Sequence, residues 1–124
     1  MSYLTDRKRV DGLGSAKSGT QHFISQRVTA IALIPLVVLF VLPFTYNLGA
    51  GYERVIEAYS HPVNAIIAIL FFVVVFMHLR LGLQVVIEDY VHSRAMRTAL
   101  LLANTIFCWA FGLTGVFAVA KIAL

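Results

Sequence analysis

The stretch His78-Leu-Arg-Leu-Gly-Leu-Gln-Val-Val-Ile-Glu-Asp-Tyr-Val91 closes a long apolar run that begins near Pro62. A histidine lies deep in this run, and an acidic pair with a tyrosine follows at its end. At about 100° per residue in a helix, Asp89 lies within about 20° of the direction of His78. The rise between these two residues is about 16 Å. The stretch therefore predicts one helical face that carries an imidazole inside an apolar layer and, three turns later, a polar cluster at its edge.

The composition indicates a membrane protein. Of the 124 residues, 60% are hydrophobic and only 13% are charged, whereas a soluble domain is about one quarter charged. The mean hydropathy is +0.84, and the apolar residues form three runs long enough to span a bilayer. The net charge of +4 comes without a basic face interleaved with aromatic residues, so it indicates membrane topology rather than nucleic-acid binding. The spans themselves imply contact with membrane lipid.

The single cysteine and the N-terminal residues restrict the class further. Cys108 has no second cysteine with which to form an intrachain disulfide or a cysteine-ligated metal site. The first apolar run follows about 25 polar residues, which is too late for a secretory signal peptide. Asp6 and Asp11 interrupt the short basic cluster, which is unlike a mitochondrial presequence. We expect a multi-pass protein of a bacterial cytoplasmic (inner) membrane.

The predicted fold class is all-α, with three transmembrane helices over about residues 25–48, 63–88 and 98–123. Residues 1–24 are rich in glycine, serine and threonine and are predicted to form an N-terminal segment without a stable helix. Residues 25–124 are predicted to form the membrane anchor. Pro35 and Pro43 predict a bend in the first span. The loop 49–62 has room for a short interfacial helix. Asn104 and Thr105 are candidates for hydrogen bonds between helices, although simple packing is the preferred interpretation for both.

The lysine and arginine residues predict the orientation, because such residues concentrate on the cytoplasmic side. The first loop and the C-terminus contain one cation each, Arg54 and Lys121. The N-terminal segment and the second loop contain more, namely Arg7, Lys8, Arg9, Lys17, Arg94 and Arg97. The N-terminus is therefore predicted to be cytoplasmic and the C-terminus periplasmic.

His78 has two interpretations from the residues alone. Most lone histidines on apolar helices are hydrogen-bonded packing residues, but ionisable groups inside a membrane are costly and usually functional. A neutral imidazole is a good axial ligand for haem iron. Gly82, one turn later, either makes room for a flat macrocycle or permits close helix packing. Arg80 points away from His78 and is expected to reach the head groups or to pair with a partner chain.

The sequence resembles the small membrane-anchor subunit of succinate dehydrogenase, respiratory complex II, of the D type that pairs with a cytochrome b556 subunit. His78 is followed after eleven and twelve residues by Asp89 and Tyr90, as in that family. The resemblance also covers Ser18-Gly-Thr-Gln-His-Phe-Ile-Ser-Gln-Arg-Val-Thr-Ala30 before the first span. With the three-helix layout it extends over most of the chain.

The resemblance implies specific roles for five residues. His78 would be an axial ligand of haem b, while Arg27 and His22 would face the haem propionates. Tyr90 and Asp89 would border the ubiquinone pocket, with Tyr90 as a hydrogen-bond donor and Asp89 on the proton path.

The resemblance also implies the partners of the chain. A larger cytochrome b anchor subunit would supply the second axial histidine of the shared haem b. An iron–sulfur subunit and, through it, a flavoprotein subunit would carry the clusters and FAD, oxidise succinate and deliver electrons to ubiquinone.

Two rival interpretations remain open. The first is a haem-binding anchor of a fumarate reductase or another small cytochrome b, against which the Asp89-Tyr90 pair argues. The second is a structural or regulatory membrane subunit without haem, in which His78 only packs.

Overall fold

The computed structural model describes Thr5, Arg7 and residues 19–124. The described residues form four α-helices: α1 (Gly19–Asn47), α2 (Tyr52–Ser60), α3 (Pro62–Tyr90) and α4 (Arg94–Ala123). The remaining residues of the predicted N-terminal segment, with the cations Lys8, Arg9 and Lys17, lie outside this description. The all-α prediction is confirmed.

Three of the helices are long and apolar enough to cross a membrane. Helices α1, α3 and α4 contain 29, 29 and 30 residues, which corresponds to about 44 Å each against a hydrocarbon core of about 30 Å. Their outer surfaces expose large apolar side chains along their whole length. In water such surfaces would be unfavourable, whereas in lipid they are solvated by acyl chains. The predicted three spans are confirmed, and the chain is a multi-pass membrane protein.

The helices continue beyond the predicted spans. The expectation of non-helical backbone is wrong for residues 19–24, because α1 begins at Gly19. Helix α3 includes Asp89 and Tyr90, and α4 begins at Arg94, so only residues 91–93 separate them. Once an apolar span has nucleated a helix, each added residue gains a hydrogen bond at little further cost, and this extends the helix into polar sequence.

A tight turn and a short helix connect α1 to α3. Gly49 and Gly51 have φ values of 82° and 90°, which only glycine adopts without strain. They allow the chain to turn into α2. The presence of α2 confirms the expectation of a short helix in the first loop. Pro62 then occupies the first turn of α3, where its missing N–H leaves no hydrogen bond unmade. The bend expected from Pro35 and Pro43, both inside α1, stays a prediction.

Helix α3 lies at the centre of the bundle. It packs against α1 on one side and α4 on the other, and α2 contacts all three long helices. Phenylalanine rings fill the α1–α3 contact, with Phe40 stacked on Phe71 at 4.2 Å between centroids. Small residues line the α3–α4 contact, where Gly112 faces Phe76 and Gly115 faces Phe72. Close approach over glycine is how helices gain van der Waals contact in a membrane.

One of the two candidate interhelical hydrogen bonds forms, so the packing interpretation was wrong for Asn104. The Asn104 side-chain amide, which is buried, donates to the Arg80 carbonyl of α3 at 2.9 Å. Thr105 instead donates to the carbonyl of Leu101 in its own helix, which agrees with the packing interpretation. A threonine hydroxyl is short and finds the carbonyl one turn back, whereas the longer asparagine side chain reaches the neighbouring helix.

Candidate functional site

His78 is joined to the first span by a hydrogen bond. Its Nδ1 lies 3.0 Å from the Oγ1 of Thr29, a contact between residues 49 positions apart in the chain. Thr29 is the one buried residue of α1, whereas His78 is half-buried. The His78 Nε2 makes no hydrogen bond within the described part of the chain and is not among its buried unpartnered atoms. This nitrogen is therefore open to a group outside the chain.

Three polar residues of α1 lie on the side that faces α3. His22 precedes Thr29 by seven residues, which places it within about 20° of Thr29 around the helix. Gln26 lies between them, and its Nε2 would be 3.5 Å from a side chain built on Gly82. We call His22, Gln26, Thr29, His78 and Gly82 the polar seam. The contact with Gln26 supports the packing interpretation of Gly82.

Two atoms of the polar seam are buried without a hydrogen bond. These are Nε2 of His22 and Oε1 of Gln26. Buried polar atoms without partners are costly and rare in native proteins, so each one calls for an explanation, such as a bound water, an ion or a functional role. The polar seam thus has two side-chain atoms without hydrogen-bond partners near the start of α1.

Arg27 does not join the polar seam in this chain. It is exposed, and its guanidinium carbon lies 5.2 Å from the centroid of the Phe23 ring. That distance permits a cation–π contact. The structure therefore brings His22 and His78 to one interhelical face. Arg27 lies beside that face, near the start of α1.

Asp89 and Tyr90 form the last residues of α3, at the same end of the bundle as His22. Helices α1 and α3 are antiparallel, so the residues before Thr29 and the residues after His78 lie toward the same end of the bundle. Tyr90 is 78% exposed, and Asp89 makes no hydrogen bond or ion pair with the described residues. The Tyr90 backbone carbonyl lies 3.2 Å from Nδ1 of His92. Both side chains are free to meet a ligand at the end of the bundle.

His78 fits the role of an axial haem ligand that the resemblance implies. Metal-binding histidines almost always donate their second ring N–H to an oxygen, which orients the ring, and His78 has such an oxygen in Thr29. A single imidazole with an open nitrogen suits a group shared with another chain. Among the described residues, no cluster of three histidine, cysteine or acidic residues could hold a bare metal ion.

A cavity of about 500 Å³ lies at the opposite end of the bundle, between the α1–α2 turn and the end of α4. Its walls include Phe44, Val55, Tyr59 and Ile122. The Tyr59 hydroxyl is buried without a partner, and this burial raises the pKa of the phenol. The cavity does not include any residue of the polar seam.

Sequence reasoning missed the parts that Thr29 and Gln26 take in the seam. Both lie in the Ser18–Ala30 segment, but only its histidine and arginine were assigned roles. The spacing of His22, Gln26 and Thr29 repeats at four and three residues, which is the spacing of one helical face. That signal was available only once residues 19–24 were known to be helical.

The fold and the seam define a class: a three-span helical membrane protein with a half-buried intramembrane histidine whose outer nitrogen is open. Comparison with known proteins narrows this class. The sequence model of the family described as succinate dehydrogenase/fumarate reductase transmembrane subunit matches residues 1–116. The chain belongs to this family.

Several curated relatives are named as succinate dehydrogenase hydrophobic membrane anchor subunits. The chain is 36% identical to the one from Paracoccus denitrificans over 124 residues, which is 100% of this chain and 95% of the relative. It is 39% identical over 95 residues to the one from Rickettsia bellii, covering 76% of this chain and 75% of the relative. The Rickettsia conorii relative is 33% identical over 97 residues, covering 77% and 76%. No solved structure matches the chain.

Proposed function

We propose that this chain is the membrane-anchor subunit of a succinate:ubiquinone oxidoreductase, in which it binds haem b together with a larger anchor subunit and forms part of the ubiquinone-reduction site. The observation that carries the proposal is the position of His78. Of the four histidines, it alone lies in the middle of a span, and its Nε2 is open. The names of the relatives support the assignment of the chain to a succinate dehydrogenase complex.

The haem site would be built from both sides of the polar seam. His78 would supply one axial ligand through Nε2, and a histidine of the larger cytochrome b subunit would supply the other. Haem b, when bound, supplies a one-electron redox centre inside the membrane. His22 and Arg27, both near the start of α1, would face its propionates, since a guanidinium pairs well with a carboxylate.

The quinone site would lie at the end of α3. Ubiquinone is dissolved in the membrane, and its head group meets water at the border of the apolar layer. There the Tyr90 hydroxyl would donate a hydrogen bond to a quinone carbonyl. The Asp89 carboxylate, exposed beside it, would pass protons from water to the reduced quinone.

The remaining chemistry would belong to the partner subunits. The flavoprotein would oxidise succinate with FAD, and the iron–sulfur subunit would carry the electrons to the membrane. This chain would contact the iron–sulfur subunit and would form part of the membrane site where the electrons reach ubiquinone. Fumarate reductase is the rival enzyme, because the family description includes both. The relatives, named as succinate dehydrogenase subunits, favour succinate oxidation.

The test is His78→Ala in the purified complex. We expect the b-type absorption spectrum to be lost or altered while the complex still assembles, because the mutation removes a ligand and leaves the three spans intact. His61→Ala is the matched control, since His61 is exposed and precedes α3 at the other end. A spectrum and reduction potential unchanged in His78→Ala would remove haem ligation from this chain.

A further inference from the structure

Thr29 makes hydrogen bonds that determine which way its hydroxyl proton points. Its Oγ1 lies 2.8 Å from the carbonyl oxygen of Ser25 and 3.1 Å from that of Gln26. A hydroxyl has one hydrogen to donate. If that hydrogen were turned toward His78, two oxygen–oxygen contacts would be left without a proton between them in a low-dielectric layer, which is unfavourable. The hydrogen therefore points to the backbone of α1.

The same count determines which ring nitrogen of a neutral His78 carries the hydrogen. Because the Thr29 hydrogen is used, Oγ1 is only an acceptor toward His78 Nδ1 at 3.0 Å. The imidazole must donate, so its Nδ1 carries the hydrogen. A neutral imidazole has a single N–H, and its other nitrogen holds the lone pair. The lone pair is therefore on Nε2, the nitrogen open to a group outside the chain.

The Thr29 hydroxyl is held in place by its own helix. Threonine is branched at Cβ, and its hydroxyl in a helix settles where it bonds the carbonyls three and four residues back. Thr29 is also buried, with 8% of its surface exposed, so water does not compete for the bond. The ring of His78 is thus anchored to a fixed point of α1 rather than to its own helix.

We propose that Thr29 is a positioning residue for His78: its hydroxyl selects the tautomer with the lone pair on Nε2 and sets the ring orientation for ligation of haem iron. This inference rests on the proposed function. An oxygen that accepts the second ring hydrogen also makes the imidazole a stronger electron donor. Thr29 therefore acts through His78 and touches the haem site only by way of that ring.

The test compares Thr29→Val with Thr45→Val in the purified complex. Valine keeps the shape of threonine and removes the acceptor. Thr45 is a matched control on the same helix, since its Oγ1 also bonds two backbone carbonyls, at 2.8 and 3.1 Å, but it is exposed and faces no histidine. Haem content, the haem reduction potential and the electron paramagnetic resonance spectrum are measured in each variant.

We expect Thr29→Val to weaken haem binding roughly 10- to 100-fold, the usual loss when such a partner is removed. The haem reduction potential should rise, because a less electron-rich ligand stabilises the ferric state less. Thr29→Ser should restore both properties, and Thr45→Val should resemble the unmutated complex. Should Thr29→Val fail to assemble, Thr29→Ala removes the hydroxyl without adding bulk and serves in its place.

A second measurement does not depend on haem. The full chain with nitrogen-15-labelled histidine, prepared without haem in detergent, reports the tautomer of His78 through its two ring nitrogen shifts, which His78→Ala identifies. We expect hydrogen on Nδ1 in the unmutated chain and in Thr45→Val, and a mixture in Thr29→Val. Equal tautomers and equal haem potentials in the two valine variants would overturn the inference. An unchanged haem spectrum in His78→Ala would instead overturn the proposed function.

Discussion

At the scale of single residues, the molecule separates its two candidate sites along one helix. His78 is half-buried and bonded to Thr29, whereas Asp89 and Tyr90 are exposed at the end of α3. The difference follows from depth. A polar group inside the layer needs a partner in the protein, while one at the border is solvated by water and remains available to a ligand.

The residue-scale prediction concerns the quinone end. Tyr90→Phe keeps the ring and removes one hydrogen-bond donor, worth about 1 kcal/mol and more when the acceptor gains charge. We expect succinate-to-quinone electron transfer to slow roughly tenfold or more, at about 1.4 kcal/mol per decade. Asp89→Asn should slow the same reaction through proton supply, with a larger loss at high pH, where water offers fewer protons.

Succinate oxidation by a dye that accepts electrons before the quinone is the control for both variants, and it should be unaffected. If both variants assemble and reduce quinone as fast as the unmutated complex, the quinone site does not involve this chain. Tyr90 would then be an interfacial aromatic anchor and Asp89 a solvated helix end.

At the scale of helices, the α3–α4 contact depends on glycine at one position more than at any other described glycine. A Cβ on Gly115 would lie 2.6 Å from Cδ1 and 2.8 Å from Cε1 of the Phe72 ring. That ring is packed edge-on against Phe40 and Phe71, with centroids 5.8 and 5.9 Å away. Phe72 also borders the cavity of about 500 Å³, so the added Cβ must either displace the ring from these contacts or push the helices apart.

We therefore expect Gly115→Ala to destabilise the anchor by about 1–3 kcal/mol, the usual cost of overpacking. Gly82→Ala is the matched comparison, because its Cβ would make an ordinary contact of 3.5 Å with Gln26 Nε2. Thermal unfolding of the purified complex measures both. Equal melting temperatures for the two variants would show that the Phe72 ring gives way and that α3 and α4 are not held by this contact.

At the scale of the whole molecule, the orientation in the membrane is the main prediction. The helices place residues 91–93 and the start of α1 at one end of the bundle, and the α1–α2 turn with Leu124 at the other. The excess of lysine and arginine at the first end predicts that this end is cytoplasmic.

Two exposed serines allow this orientation to be measured with a thiol reagent that does not cross membranes. Ser60→Cys, in the first loop, should be labelled in intact cells. Ser93→Cys, between α3 and α4, should be labelled only after the membrane is opened. The native Cys108 is 2% exposed and should contribute little in either case. Labelling in the reverse order would invert the orientation and place Tyr90 on the periplasmic side.

The sequence by itself determined the class, the number of spans and the angular relation between His78 and Asp89. These properties are local: run length and helical periodicity set them within one segment. The Asp-Tyr spacing and the Ser18–Ala30 segment were also enough to indicate the family that the comparisons then established.

Only the tertiary structure decided which groups meet. Thr29 and His78 are 49 residues apart, and no periodicity within either helix relates them, because their contact depends on the relative shift and rotation of α1 and α3. The same holds for Gly115 against Phe72 and for Gln26 against Gly82. Helix ends also depend on their surroundings, so residues 19–24 became helical against the weak preferences of their glycine and threonine. Local preferences of a few tenths of a kcal/mol per residue yield to propagation of a long helix and to packing between helices.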